Sequence, residues 1–270
     1  MAVPAAQAKR SLWVWQTPLA DAGAVADFAR KNGFGILYLS VKADRPALDA
    51  GDAGALRALA GLAGAGLTVY GVAGDPEWVK KKRSDIPASV RTLLGLATAH
   101  KAFAGLALDI EPHTLPEWKD DDAKAGVAEN FVDLLARIRS SAAAANLPVL
   151  ATVHPTYAKY SPPGAYAATL LQRAARAVDA TDLMAYRNAE STLESFGGAA
   201  MDQLAAVGKP WWLGVSTHSG SPAGTSYATL PPAQFFPGID ATSADLAKRY
   251  GSSFAGISVE DYRNTVALVR

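Results

Sequence analysis

The sequence contains no cysteine, and this absence excludes several kinds of site at once. Without a thiol there is no cysteine nucleophile, no thiolate metal site and no disulfide. The redox state of the compartment is left open, because disulfides are its usual marker in a sequence.

A strong net charge and long apolar runs are also lacking. The formal net charge is +1 over 270 residues, so the charge balance does not favour a nucleic acid or an anionic membrane as a partner. The only basic run, residues 80–83, is typical of a solvated loop or helix face. No apolar stretch is long enough to span a bilayer.

What the chain does contain favours one large domain. Half of its residues are hydrophobic, and alanine and glycine are abundant. A chain of this length and composition can bury one sizeable α/β core. We see no linker, heptad repeat or low-complexity segment, and we expect a single domain over residues 11–270.

The first ten residues differ from the rest of the chain. Ala6-Gln7-Ala8 resembles the small-x-small site at which a signal peptidase cuts, although no apolar segment precedes it. We interpret residues 1–10 as a disordered remnant of a removed signal peptide, with Met1 added afterwards, and expect a secreted or periplasmic protein. An ordinary disordered, alanine-rich terminus is the alternative.

Apolar segments with strand character recur at a regular spacing. We predict eight strands, at residues 11–16, 35–40, 67–72, 105–111, 149–154, 182–186, 211–216 and 256–260. Segments of helical period follow most of them, for example at residues 19–31, 47–62, 89–99, 122–144, 165–177 and 193–206. A short last helix is expected at residues 262–270.

This alternation predicts a single (β/α)8 barrel. Gly33, Gly66 and Gly208 follow helical segments, where a left-handed C-cap favours glycine. Near-continuous apolar strands that alternate with helices are typical of a parallel barrel. A doubly wound sheet is the second choice, but no glycine-rich phosphate motif follows the first strand.

The fourth predicted strand carries the strongest functional signal. Asp109 and Glu111 end an apolar run and are followed by Pro112. Residues i and i+2 of a strand face the same side, so the two acids point together at the end of a buried strand. Two like charges there raise at least one pKa, which suits a general acid. A buried ion pair with a neighbouring Arg or Lys is the structural alternative.

Two more strand ends carry candidate catalytic groups. Tyr186 ends the sixth strand and could donate a hydrogen bond to a developing charge, and Arg187 could pair with a carboxylate. Glu260 ends the eighth strand as a possible second catalytic carboxylate. The alternative is that Glu260 is an acid at the N-terminus of a helix, where the helix dipole stabilises its charge.

Aromatic, histidine and arginine side chains at the strand ends are the expected substrate contacts, because sugar rings pack on aromatic faces. The candidates are Trp13, Trp15, Trp78, His113, Trp118, His154, Tyr157, Arg187, His218 and Tyr262. Core packing is the alternative for the aromatic members. A divalent metal held by His113, His154 or His218 with Asp109 or Glu111 has no supporting HxH or HExxH spacing, and we expect neither a metal nor a cofactor.

The residues around Glu111 and Tyr186 resemble known motifs. The segment 103–111, FAGLALDIE, resembles the fourth-strand DGxDxDxE motif of the family 18 chitinase-like glycoside hydrolases, and Met184-Ala-Tyr186 resembles their sixth-strand MxY motif. Glu111 matches the terminal acid and Asp109 the last aspartate. The chain also looks like uncharacterised bacterial barrels with LDxEP and MAYR strands.

The chain departs from the chitinase pattern at several positions. Ala104 and Ala107 replace the other two motif aspartates, and Arg187 stands where chitinases carry Asp. The eighth-strand tryptophan is absent, and residues 259–261 read Val-Glu-Asp. We therefore identify the chain as a divergent chitinase-like barrel. Retaining hydrolases of the larger barrel clan place a glutamate nucleophile at the end of the seventh strand. Ser216 and Thr217 stand there in this chain, which argues against that variant.

The resemblance implies a glycoside hydrolase that acts on a poly- or oligosaccharide. Glu111 would be the general acid, and Asp109 and Tyr186 would assist it. An N-acetyl carbonyl of the substrate could be the nucleophile, or Glu260 could be base or nucleophile. A non-catalytic carbohydrate-binding barrel and a metal-dependent (phosphodi)ester hydrolase are the alternatives. We expect a monomer.

Overall fold

The computed structural model describes residues 10–163 and 168–270, which form a barrel of parallel strands. Each strand pairs with the next along the chain, and β8 closes the barrel on β1. The strands are β1 (Arg10–Val14), β2 (Phe34–Leu39), β3 (Thr68–Ala73), β4 (Gly105–Leu108), β5 (Val149–Val153), β6 (Ala180–Leu183), β7 (Trp211–Ser216) and β8 (Phe254–Glu260). The predicted (β/α)8 barrel is confirmed.

Helices surround this barrel. In the described ranges they are α1 (Ala22–Lys31), α2 (Arg45–Asp49), α3 (Ala53–Gly64), α4 (Ala88–His100), α5 (Asp121–Ala143), α6 (Leu170–Ala177), α7 (Glu190–Val207), α8 (Phe235–Tyr250) and α9 (Tyr262–Val269). Gly33, Gly66 and Gly208 follow α1, α3 and α7 with φ of 73°, 82° and 75°, as their positions predict. Among these helices, none combines the length and apolarity that crossing a membrane requires.

Several boundaries differ from the sequence prediction. β4 ends at Leu108 and β6 at Leu183, a few residues before the predicted ends. The apolar pattern continues beyond both strands because Ile110 and Ala185 at the barrel mouth are also buried. Residues 165–167 of the predicted sixth helix and residues 1–9 of the predicted N-terminal remnant lie outside the described residues. α8 is a helix that the sequence reading did not include.

Two apolar layers hold the fold together. The larger lies between the strands and the helices, and the smaller fills the barrel interior with rings such as Trp13, Tyr38, Tyr70 and Trp212. Gly105 is required beside these rings, because a Cβ there would lie 2.3 Å from the Tyr70 ring. Branched aliphatic residues usually fill the interior of such barrels, but large aromatic rings take that place here. The N–H and O–H groups of these rings are thereby brought into the interior, where they need polar partners.

Candidate active site

Asp109 is the first acid at the barrel mouth. Its backbone N–H donates to the Ala73 carbonyl at 3.0 Å, and its Oδ1 accepts from the Thr152 hydroxyl at 2.8 Å. Gly74 permits this approach, because a Cβ there would lie 1.8 Å from the Asp109 carbonyl oxygen. Burial raises the pKa of Asp109, and the hydrogen bond from Thr152 opposes that shift.

Glu111 lies two residues further on in an uncommon backbone conformation. Its φ of 50° and ψ of 56° are left-handed, although the residue is not glycine and precedes Pro112. Such strain persists only where the surrounding structure enforces it, and it concentrates at functional sites. Burial, then the charges of Asp109 and Glu260, raise the pKa of Glu111 to about 7.

Glu260 approaches the same centre from β8. Burial raises its pKa, while interaction with the Tyr186 hydroxyl favours its charged form, and Asp109 is close enough to raise the pKa further. Tyr186 is partly buried, and burial followed by the Glu260 charge raises its pKa well above the ordinary value. The structure therefore brings the four predicted catalytic residues together, with Tyr186 as a neutral donor beside a carboxylate.

A fourth acid, Asp182 of β6, lies deeper in the barrel and was not predicted. Its Oδ2 accepts from the Trp13 indole N–H at 3.0 Å and from the Ser258 hydroxyl. Burial raises the pKa of Asp182 to about 7. A charged residue at the start of an apolar predicted strand was the signal that could have identified it. Thr152 was missed as well, because nothing in the sequence pairs a β5 threonine with a β4 aspartate.

Two stacked histidines stand beside Glu111. The rings of His113 and His154 lie 4.4 Å apart at 22°, and His113 Nε2 is 3.9 Å from Glu111 Oε1. His113 Nδ1 and the buried Tyr157 hydroxyl share a hydrogen bond of 2.8 Å. The pKa of each ring is lowered to about 4, chiefly by burial. The neighbouring His154 also lowers the pKa of His113, and Arg187 also lowers the pKa of His154. Both rings are therefore neutral at pH 7.

The proton of the His154 ring can be placed. Its Nδ1 accepts from the Thr156 backbone N–H at 3.3 Å and lies 2.7 Å from the Thr156 hydroxyl. A neutral imidazole that accepts at Nδ1 carries its proton on Nε2. His154 therefore offers one neutral N–H donor at the barrel mouth.

Trp13 and Trp15 connect the interior with the surface. Their rings stack at 5.3 Å and 11°, with Trp13 buried and Trp15 partly exposed. Trp15 lines a cleft of ≈ 590 Å³ together with Asp109, Glu260 and His218. It also lines a second cleft, of ≈ 760 Å³, which Trp78 shares. Trp15 is thus placed as a flat surface between two openings.

Two predicted contacts are not brought to the carboxylates. Trp118 packs on Tyr157 and Tyr160, at 5.4 and 5.8 Å between ring centres. Tyr262, the first residue of α9, packs edge-on against Phe28 of α1 at 5.5 Å. The structure places both rings in packing roles, which the sequence analysis held open as an alternative.

Metal ligation gains no support from the geometry. In residues 10–163 and 168–270, no group of three His, Asp or Glu side chains is placed to hold a metal ion. Asp109 is instead bonded to Thr152, and His113 to Tyr157.

Comparison with known proteins finds likeness in structure and not in sequence. No family model and no curated protein matches the chain. A class V chitinase from Pseudomonas fluorescens Pf-5 matches with a TM-score of 0.59 at 13% identity, over 97% of this chain and 98% of that one. A chitinase from Chromobacterium violaceum matches with a TM-score of 0.58 at 14% identity, over 97% and 98% of the two chains.

A third solved structure extends the likeness beyond chitinases. The glycoside hydrolase domain of PgaB (BpsB) from Bordetella bronchiseptica matches with a TM-score of 0.56 at 12% identity, over 97% of this chain and 96% of that one. At such identities the likeness establishes the fold, while activity has to be argued from this chain's own residues. The chain therefore shares its (β/α)8 barrel fold with these solved chitinase and glycoside hydrolase structures.

Proposed function

We propose that the protein is a glycoside hydrolase that cleaves a poly- or oligosaccharide, with Glu111 as the general acid. The observation that carries the proposal is Glu111 itself. It is a carboxyl group held in a strained backbone conformation at the barrel mouth, with its pKa raised to about 7. A carboxyl group that is still largely protonated near neutral pH can give its proton to a glycosidic oxygen.

Asp109 supports this role through its position. It lies two residues before Glu111, and its charge is one cause of the raised pKa of Glu111. When Glu111 gives up its proton, Asp109 can hold the reacting group through the oxygen that Thr152 does not occupy. The carboxylate of Glu111 can then take a proton from the water that completes hydrolysis.

The second catalytic group is Glu260 or a carbonyl of the substrate. Glu260 is oriented by Tyr186 and lies close enough to Glu111 to raise its pKa, so it can act as base or nucleophile. If the sugar carries an N-acetyl group, its carbonyl can attack instead, and Tyr186 would stabilise the developing charge. The configuration of the released anomeric carbon, read by NMR, separates inversion from retention.

The test is Glu111→Gln, which keeps the size of the side chain and removes its acidic proton. We expect wild type to release oligosaccharides from at least one of a panel of bacterial and fungal polysaccharides, detected by mass. Glu111→Gln should lose turnover by about 100-fold or more and keep substrate binding. The matched control is Glu190→Gln, at the exposed start of α7, which should behave as wild type.

Two outcomes would contradict the proposal. Full activity in Glu111→Gln would show that another group supplies the proton. Saturable binding of a glycan without product from wild type would instead indicate a carbohydrate-binding barrel, which the replacement of two motif aspartates by Ala104 and Ala107 makes the second candidate.

A further inference from the structure

Within the described residues, Arg187, which lies in the loop after β6, has no carboxylate partner. In the described part of the chain no Asp, Glu or C-terminal oxygen lies within 4.0 Å of its nitrogens. The undescribed residues, 1–9 and 164–167, include no Asp or Glu. A half-buried guanidinium would ordinarily pair with a carboxylate, since unpaired charge is costly to bury.

The guanidinium is nevertheless held in place. It lies over the Phe196 ring at 3.8 Å, and its Nη1 donates to the Tyr186 carbonyl at 2.6 Å. A guanidinium has five N–H donors in a planar fork, and within the described residues only this one hydrogen bond is formed. Stacking and one fixed bond pre-organise the remaining donors at little further entropic cost.

Contacts between rings connect Arg187 with the catalytic acid. Phe196 also meets His154 edge-on at 5.8 Å, His154 stacks on His113, and His113 Nε2 lies 3.9 Å from Glu111. Arg187 therefore stands at one end of a continuous wall that ends at Glu111. A sugar bound along this wall would meet both the acid and the guanidinium.

A second arginine, Arg263, follows β8, two strands along the barrel from β6. Arg263 lines the ≈ 590 Å³ cleft with Asp109 and Glu260. One of its nitrogens donates to the Gln16 carbonyl, and across the described ranges it too has no carboxylate within 4.0 Å. Two arginines at this end of the barrel are thus each anchored to a backbone oxygen, and within the described residues each has N–H donors that no carboxylate takes up.

We propose that the substrate is an anionic glycan and that Arg187 binds the carboxylate of a uronic acid residue at the end of the ring wall away from Glu111. The planar guanidinium matches a carboxylate with two parallel hydrogen bonds. An acidic sugar would otherwise be repelled by the ionised carboxylates at the barrel mouth, and the arginines offset that repulsion. This inference rests on the proposed function, because it names the substrate class of the same site.

The experiment uses matched pairs of substrates. Alginate, polygalacturonate and a glucuronate-containing glycan are each offered beside their carboxyl-reduced, neutral forms, to wild type, Arg187→Gln and Arg187→Lys. The control variant is Arg57→Gln, which removes the same charge from an exposed position on α3. Unfolding midpoints show whether each variant is folded. If Arg187→Gln does not fold, Arg187→Lys takes its place in the comparison with wild type.

We expect wild type to cleave an acidic form in preference to its reduced form. Arg187→Gln should raise KM on the acidic form about 10- to 100-fold, the loss of hydrogen bonds to a charged group, and so lower the preference for the acidic over the reduced form by the same factor. The KM of Arg187→Lys on the acidic form should lie between those of wild type and Arg187→Gln. Equal cleavage of both forms by wild type, with no effect of Arg187→Gln, would overturn this inference and leave the hydrolase proposal standing. Cleavage of a glycan from the bacterial and fungal panel but of no acidic glycan would overturn this inference alone, and cleavage of nothing in either set would overturn both.

Discussion

Replacing Asp182 with asparagine should make the protein more stable above neutral pH. The side chain is 1% exposed inside the barrel and accepts from Trp13 and Ser258. Asparagine has nearly the same shape, and its oxygen can accept from the same two donors. It carries no charge at any pH, so the cost of ionising a buried carboxyl disappears.

The magnitude follows from the pKa. The Asp182 carboxyl changes from an ordinary pKa of 3.8 to about 7 on folding, chiefly because it is buried. Between these values the unfolded chain is ionised while the folded protein keeps the proton, so stability falls as pH rises. One pKa unit corresponds to 1.36 kcal/mol, so the loss reaches about 4 kcal/mol above pH 7 and vanishes below pH 3.8.

The assay is urea unfolding of wild type and Asp182→Asn at several pH values from 4 to 8. We expect the free energy of unfolding of Asp182→Asn, taken relative to that of wild type, to increase with rising pH by up to about 4 kcal/mol. The control is Asp27→Asn, at an exposed position on α1, whose difference from wild type should stay constant. If the Asp182→Asn difference were also independent of pH, the folded and unfolded pKa values would be equal and the reasoning would fail.

Two further predictions concern catalysis. Because the general acid must be protonated, kcat/KM should fall as pH rises through about 7, the pKa of Glu111. Asp109→Asn removes a negative charge beside Glu111, so the fall in kcat/KM should move to lower pH. If the pH profile did not move, the charge of Asp109 would not be a cause of the raised pKa of Glu111. Tyr186→Phe removes the hydroxyl that favours charged Glu260 and should lower kcat about 100-fold with little change in KM. A larger change in KM than in kcat would show that Tyr186 acts in binding.

Much of the site could be predicted because strand ends meet at one face of a barrel. Asp109, Glu111, Tyr186 and Glu260 were chosen because they stand at predicted strand ends, with motif resemblance as further support for the first three, and the structure places them together. Packing contacts between elements were beyond such reasoning. Trp118 and Tyr262 also stand near strand ends, but each packs on rings from other parts of the chain.

The sequence by itself determined the alternation of strands and helices, the closed barrel and the paired acids that follow β4. These features depend on apolar periodicity and on spacing along the chain, which are local properties. The tertiary structure alone decided which groups surround those acids. Thr152 reaches Asp109 from the adjacent strand, and Trp13 and Ser258 reach Asp182 from β1 and β8. Burial and these contacts set the protonation states, because the free energy of a charge depends on everything around it in space.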